Sequence, residues 1–367
     1  MGDRSKIEWT DATWNPIAGC SVVSPGCTNC YAMRLAPRTE ELSTGAPWAG
    51  ASGRLTRSSK AGPVWTGALR LVERRLGEPL RWRRPRRIFV NSMSDLFHES
   101  APDAWIDRVF AVMALCPQHT FQILTKRPAR MRAYVSSIGE RLDQIMAARV
   151  PHPTGEWQLW DLIDPAPFAA PLPNVWLGVS VEDQARADER IPELLATPAA
   201  VRWISAEPLL GPIDLLPYLF IFTAEDDAQL DCPSCDEPLP FHDPKTTDPA
   251  DIVTPRLDWV VAGGESGPNA RPMHPDWVRS LRDQCAAADV PFLFKQWGDW
   301  LDERVATSQR MAPGPEMFDR FGRPKGDRWH PYDAADRNGG AMIRVGKKAA
   351  GRLLDGMLHD AYPEPRP

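Results

Sequence analysis

The feature that most constrains this chain is a unit repeated along most of its length. A short apolar strand ends in polar residues, and an amphipathic helix usually follows. Residues 87–91 (RIFVN), 120–124 (TFQIL), 175–179 (VWLGV), 201–205 (VRWIS), 259–262 (WVVA) and 291–295 (PFLFK) are the strands. After the first comes PDAWIDRVFAVMALC, with Pro102 in its first turn and Trp105, Val109, Val112 and Met113 at helical spacing. Residues 7–19 read as a further first strand, with a helix from about Cys30 to Pro37. Six or seven such units in series specify a parallel sheet with right-handed crossovers. The expected fold class is α/β: a TIM-type (βα) barrel, complete or partial, with loop insertions.

Such a barrel gathers its strand C-termini around one mouth. That geometry brings together Asn91, Ser92 and Asp95, then Thr125, Lys126 and Arg127, then Ser180, Glu182 and Asp183. Glu207, the GGESG turn with Gly263, Gly264, Glu265 and Ser266, and finally Lys295 and Gln296 complete the rim. Loop ends are polar in any protein, so each residue alone carries little. The collective signal is an ionisable residue at nearly every strand end.

The first strand feeds GCSVVSPGCTNCY, where Cys20, Cys27 and Cys30 are spaced C-x6-C-x2-C. Thiolates are soft ligands, and three within eleven residues suit zinc or an iron–sulfur cluster. Gly19, Pro25 and Gly26 let the loop fold back so that the sulfurs converge. No fourth cysteine or histidine lies near enough for a local four-ligand zinc site. Three readings stand: an iron–sulfur cluster, a zinc site completed from a distance, and unligated buried thiols.

Several stretches interrupt the repeat. Residues 38–80 read as loops with a small hairpin near 64–72, and 151–173 as a proline-rich loop. Arg81, Arg83, Arg84, Arg86 and Arg87 surround Trp82, a pattern suited to phosphate or nucleic acid and equally to a solvated edge. The insertion 215–256 carries Cys232, Cys235 and His242, half of a zinc-ribbon ligand set. Residues 1–300 form the expected barrel domain and 301–367 a C-terminal extension, with Lys347, Lys348 and Arg352 on a basic capping helix. There is no GxxxxGK[ST] loop.

The net charge of −5 gives no general affinity for polyanions. An odd count of seven cysteines, with no apolar leader in MGDRSKIEWTD, points to a reducing cytoplasm. No apolar run reaches membrane-spanning length, so no membrane partner is expected.

The cysteine loop resembles that of radical S-adenosylmethionine (SAM) enzymes, in which three cysteines hold a [4Fe-4S] cluster and SAM chelates the fourth iron. Most of them carry C-x3-C-x2-C with an aromatic residue before the third cysteine; here the first gap is longer, Asn29 takes that position and Tyr31 follows. Their GGE motif binds the SAM amino group after the second strand; here Gly263, Gly264 and Glu265 follow a late strand, and NSMSD (Asn91 to Asp95) holds the second-strand place. The segments KIEWTDATWNPIAGC, IFVNSMSDLFH, WISAEPLLGPID, WVVAGGESGPNARPMHPDWVRSLRDQC, PFLFKQWG and RVGKKAAGRLLDG resemble an uncharacterised phage- and prophage-associated family that opens with this three-cysteine motif. That family is distantly similar to the spore photoproduct lyase group.

The resemblance implies reductive cleavage of SAM to start radical chemistry, with Cys20, Cys27 and Cys30 on the cluster. SAM contacts are expected among Asn91, Ser92, Asp95, Lys126, Glu182, Glu207, Gly263, Gly264, Glu265 and Lys295. A one-electron donor such as flavodoxin or ferredoxin and a nucleic-acid or nucleotide substrate are the expected partners. Two other functions fit the same residues: a non-catalytic zinc-binding phage protein, and a barrel hydrolase using Glu207 and Glu265 as paired carboxylates.

Overall fold

Seven of the short strands hydrogen-bond side by side in one parallel sheet. They are β1 (Ala12–Trp14), β2 (Arg87–Val90), β3 (Thr120–Thr125), β4 (Val175–Ser180), β5 (Val201–Ala206), β6 (Trp259–Gly263) and β7 (Phe292–Gln296). Their spatial order is their chain order. In this computed structural model the sheet curls into a half-barrel, a mixed α/β fold compatible with a TIM-like barrel, with β1 and β7 as its two edges. The structure describes residues 5–41, 54–60, 62–152, 155–158, 171–220, 255–302, 305, 328–329 and 342–364. Cys232, Cys235 and His242 lie outside them. Among the described residues no helix is long and apolar enough to cross a membrane.

Side chains alternate across a strand, so each strand feeds two layers. The outward row, including Ile88, Val90, Phe121, Ile123, Val179, Ile204, Val260 and Phe294, packs in one large core with the helices. Those helices are α2 (Asp103–Ala114), α3 (Pro128–Ser136), α4 (Gln184–Leu195) and α5 (Pro275–Ala287), whereas α1 (Tyr31–Glu41) packs Ala32, Met33 and Ala36 in a third cluster with Leu55 and Trp65. α1 runs past Pro37, where the sequence predicts its end. Asp183 caps α4, its carboxylate accepting from the Arg186 N–H at 3.0 Å.

The inward row builds a second, smaller core. Trp9, Phe89, Trp176, Val201, Trp203, Trp259, Val261 and Leu293 fill the lumen. Trp9 lies 5.1 Å from Trp203 and 4.7 Å from Phe89, ring centre to ring centre. Each such fully buried aromatic contributes about 1.5–3 kcal/mol. Gly178 makes room for Trp203, because a Cβ there would sit 2.5 Å from the indole. Nearer the strand C-termini the inward row turns smaller and more polar, through Leu124, Ser180, Ser205 and Lys295. The lumen is therefore packed below and hollow above.

The C-terminal segment returns to this barrel. Phe294 N–H donates to His359 O at 2.9 Å, and Leu293 and Asp360 form an antiparallel bridge on the free edge of β7. Tyr362 then lies 5.1 Å from the Trp259 ring and under the Arg87 guanidinium at 4.0 Å. Its hydroxyl donates to Glu8 O at 3.3 Å, which ties the β7 edge to the N-terminal segment.

Other expectations shift in detail. The early hairpin pairs Thr56–Ser59 with Gly62–Trp65, while Arg70–Leu71 pairs with Ile17–Ala18. Part of the stretch read as a proline-rich loop is a hairpin of Arg149–His152 and Gly155–Gln158, a two-stranded edge setting that tolerates Pro151. The basic capping helix is a single turn, Lys347–Ala350.

Candidate functional site

A cavity of about 280 Å³ opens at the strand C-termini, above the tryptophan layer. Its floor includes Trp9, Phe89 and Leu124, and Cys20, Cys27 and Cys30 all line it. Of the rim residues expected from sequence, Asn91, Ser92, Asp95, Lys126, Glu207, Gly264, Glu265 and Lys295 also line it. Glu182, Asp183 and Gly263 do not: Glu182 and Gly263 lie behind the lining, and Asp183 caps α4.

The cysteine loop starts at Gly19, whose φ of +100° suits glycine and whose absent side chain lets Ala68 O approach. A short turn, Pro25–Cys27, follows, and α1 begins right after Cys30. The three thiols are free. Burial, reinforced by the Asp95 carboxylate and opposed by Arg127, pushes the Cys20 thiol up to about 12. Burial also raises Cys30.

Two buried carboxylates tie the loop to distant strands. Glu182 is fully buried, and its Oε1 accepts the Gly26 N–H at 3.1 Å. Its Oε2 takes Lys126 Nζ at 3.2 Å and Arg190 Nη1 at 3.0 Å. Burial works to raise this carboxyl, but Lys126, the Ser24 hydroxyl and Arg190 more than offset it and hold it below the usual carboxylate range. The loop fits closely here, since a Cβ on Gly26 would lie 2.9 Å from Glu182 Oε1.

Glu265 is the second anchor. Its Oε2 accepts from Asn29 Nδ2 at 2.9 Å and from the Arg271 backbone at 2.8 Å, and its Oε1 from Arg271 Nη2 at 2.7 Å. That guanidinium also donates to Pro25 O inside the cysteine loop. Burial opposes the charge on Glu265, and Arg271 and Asn29 outweigh it, so its carboxyl too is lowered. Glu265 is thus occupied by the loop. The glycines before it are set by packing: a Cβ on Gly263 would meet Glu207 Oε1 at 2.4 Å, and one on Gly264 would meet Trp297 O at 2.0 Å.

The NSMSD turn after β2 is equally well fixed. Asn91 adopts φ 59°, a left-handed conformation that asparagine tolerates, and its Oδ1 accepts from Ile17 N–H. Tyr31 donates to Ser92 O at 2.6 Å and so joins the third cysteine to this turn. Asp95 accepts from Phe97 N, Thr125 Oγ1, Lys126 N and Arg127 Nη1. On the far wall Lys295 Nζ donates to Glu207 Oε2 at 3.1 Å, beside the Ser205 hydroxyl at 3.3 Å.

The Arg81–Arg87 cluster lies elsewhere. It precedes and opens β2, so it stands at the strand N-termini, the end opposite the cavity. Arg86 stacks on Trp82 at 5.1 Å. Sequence reading missed Arg190 and Arg271. Arg190 left one signal, an arginine in register with the buried face of α4 (Ala187, Ile191, Leu194). Arg271, in the irregular segment after GGESG, left none.

Among the described residues no three His, Cys, Asp or Glu side chains converge where a single metal ion would sit. One zinc ion holds each sulfur at about 2.3 Å. A cubane cluster binds its cysteines at separate irons and needs no such convergence. Three free thiols, Cys20, Cys27 and Cys30, line the same cavity, a soft donor set chemically suited to that second arrangement.

The sequence model of the family described as "Protein of unknown function (DUF5131)" matches residues 4–363, so the chain belongs to that family. No curated protein matches it, and no solved structure does.

Proposed function

We propose that this DUF5131 family member is an iron–sulfur enzyme of the radical SAM type, with Cys20, Cys27 and Cys30 as the ligands of a [4Fe-4S] cluster. The observation that carries the reading is the placing of three free thiols in the lining of a cavity at the strand C-termini of a βα half-barrel. When bound, the cluster and SAM supply the one-electron reduction that starts radical chemistry on a substrate.

The chain's own residues bind, orient and shield. Glu182 and Glu265 fix the cysteine loop at Gly26 and Asn29. The tryptophan layer closes the lumen beneath the site and keeps water out from below. Lys295, Glu207 and Asn91 line the cavity with the cysteines and are available to a polar ligand there. Reduction calls for a one-electron donor such as flavodoxin or ferredoxin, in keeping with a cytoplasmic protein. The phage or prophage association and the nucleic-acid or nucleotide substrate belong to the same proposal and rest on the resemblance and on Arg81 to Arg87. That basic cluster lies away from the cavity, so its part would be in holding a long substrate.

The test is anaerobic purification with iron, sulfide and zinc analysis, and electron paramagnetic resonance with and without SAM. One cubane's worth of iron and sulfide, with a reduced signal that SAM perturbs, is the expected result. Zinc alone after attempted reconstitution would overturn the reading in favour of a non-catalytic zinc-binding protein.

A further inference from the structure

The cavity wall beside Cys20 holds a buried cation. Arg127 is 7% exposed. Its Nη1 lies 3.9 Å from Cys20 Sγ and 2.9 Å from Asp95 Oδ2. Its Nε donates to Glu99 Oε1 at 2.8 Å and its Nη2 to Ser21 Oγ at 2.6 Å. Ser21 is also 2.9 Å from His98 Nε2. Because the Ser100 N–H donates to His98 Nδ1 at 3.1 Å, the neutral ring carries its proton on Nε2 and donates it to Ser21. The fork is therefore held on three sides, with an N–H left facing the sulfur. Lys126, one residue earlier, is committed to Glu182 instead.

We propose that Arg127 is a positioning residue that stabilises negative charge on the Cys20 sulfur and so sets the reduction potential of the centre these cysteines hold. The inference rests on the iron–sulfur reading above. Reduction adds negative charge to a cluster and its thiolates. A guanidinium donating to one of those sulfurs favours the reduced state more than the oxidised one, and raises the potential. The carboxylates that hold the fork subtract from its field. Asp95 is spent on four donors and cannot be changed without disturbing the turn. Glu99 is 61% exposed, and the Arg127 fork is its main anchor. It is the adjustable member of the set.

The two changes therefore act in opposite directions. The experiment is a redox titration of anaerobically reconstituted protein, followed by electron paramagnetic resonance, with iron content measured on each sample. Arg127→Gln should hold the wild-type amount of iron and titrate at a more negative potential, with Arg127→Lys restoring part of the difference. Glu99→Gln should titrate at a less negative potential, and as a surface change it keeps the test alive if Arg127→Gln does not fold. Iron-loaded Arg127→Gln or Glu99→Gln at the wild-type potential would overturn this inference and leave the cluster reading standing. Wild-type protein that takes up no iron would overturn both.

Discussion

Asn29 Nδ2 donates to Glu265 Oε2 at 2.9 Å, a contact between residues 236 positions apart. It fixes the turn between the second and third cysteines to the end of β6, and Arg271 reinforces it through Pro25 O. Glu265→Gln leaves one amide where a carboxylate served both Asn29 and the Arg271 fork. Hydrogen bonds to charged groups contribute about 1.5–3 kcal/mol each. We expect a loss of about 1–3 kcal/mol in denaturant unfolding, and faster amide exchange over residues 20–30 than over β3 or β4. Unchanged exchange in the loop would mean that Glu265 does not anchor it.

The same carboxylates predict an acid-side weakness. Glu182 and Glu265 both sit below the usual carboxylate range in the folded chain. A lowered folded value means that the unfolded chain binds protons first as pH falls. Their contribution is complete above the ordinary carboxylate pKa of about 4.3 and is lost as pH drops through the lowered folded values. Thermal unfolding followed from pH 6 downward should show stability falling below about pH 4.5. Glu265→Gln should flatten that fall, because the variant has one fewer carboxylate to protonate. An equal slope in both proteins would contradict the assignment.

Replacing cysteines one at a time separates ligands from core. Cys20→Ala, Cys27→Ala or Cys30→Ala should each abolish full cluster loading, read as iron per chain and as the brown absorbance. Cys116 and Cys285 are buried in the main core, each with its thiol raised to about 12 by burial. Cys116→Ala and Cys285→Ala should keep the iron and cost only the packing of one sulfur. Loss of iron in these two, or its retention in the first three, would break the ligand assignment.

Much of this arrangement is legible in the chain because strand and helix periods are strong and the strand ends carry the charges. The parallel βα sheet, its mouth and the cysteine loop at that mouth follow from those patterns, whereas how far the barrel closes does not. What the sequence hides is which face of a strand looks inward. VWLGVS is buried on both faces, so its apolar run does not distinguish Trp176 in the lumen from Leu177 in the outer core. Trp203 and Trp259 meet because parallel register pairs them directly, and Trp9 reaches them from the segment before β1. Glu182 reads as a rim residue, yet it turns under the loop to reach Gly26. The segment HDAY pairs on β7 through backbone hydrogen bonds, and its His359 and Tyr362 rings pack on Phe292 and Trp259 without any periodic pattern that would mark a strand.

Two glycines make the difference between lumen and loop measurable. A Cβ on Gly178 would fall 2.5–2.7 Å from three atoms of the Trp203 ring, inside a packed layer of aromatics that cannot withdraw. Overpacking of this kind costs about 1–3 kcal/mol. Gly178→Ala should lower the unfolding midpoint and alter the near-ultraviolet dichroism of the tryptophans. A Cβ on Gly26 meets Glu182 Oε1 at 2.9 Å, and the loop can yield toward the cavity. Gly26→Ala should therefore unfold within about 1 kcal/mol of wild type, since the strain is absorbed outside the core. It should nevertheless lose iron on reconstitution, because Cys27 moves with its neighbour. If Gly26→Ala loads iron fully, the close fit of the loop against Glu182 does not govern the site. If instead it unfolds like Gly178→Ala, the loop is part of the core rather than a layer laid over it.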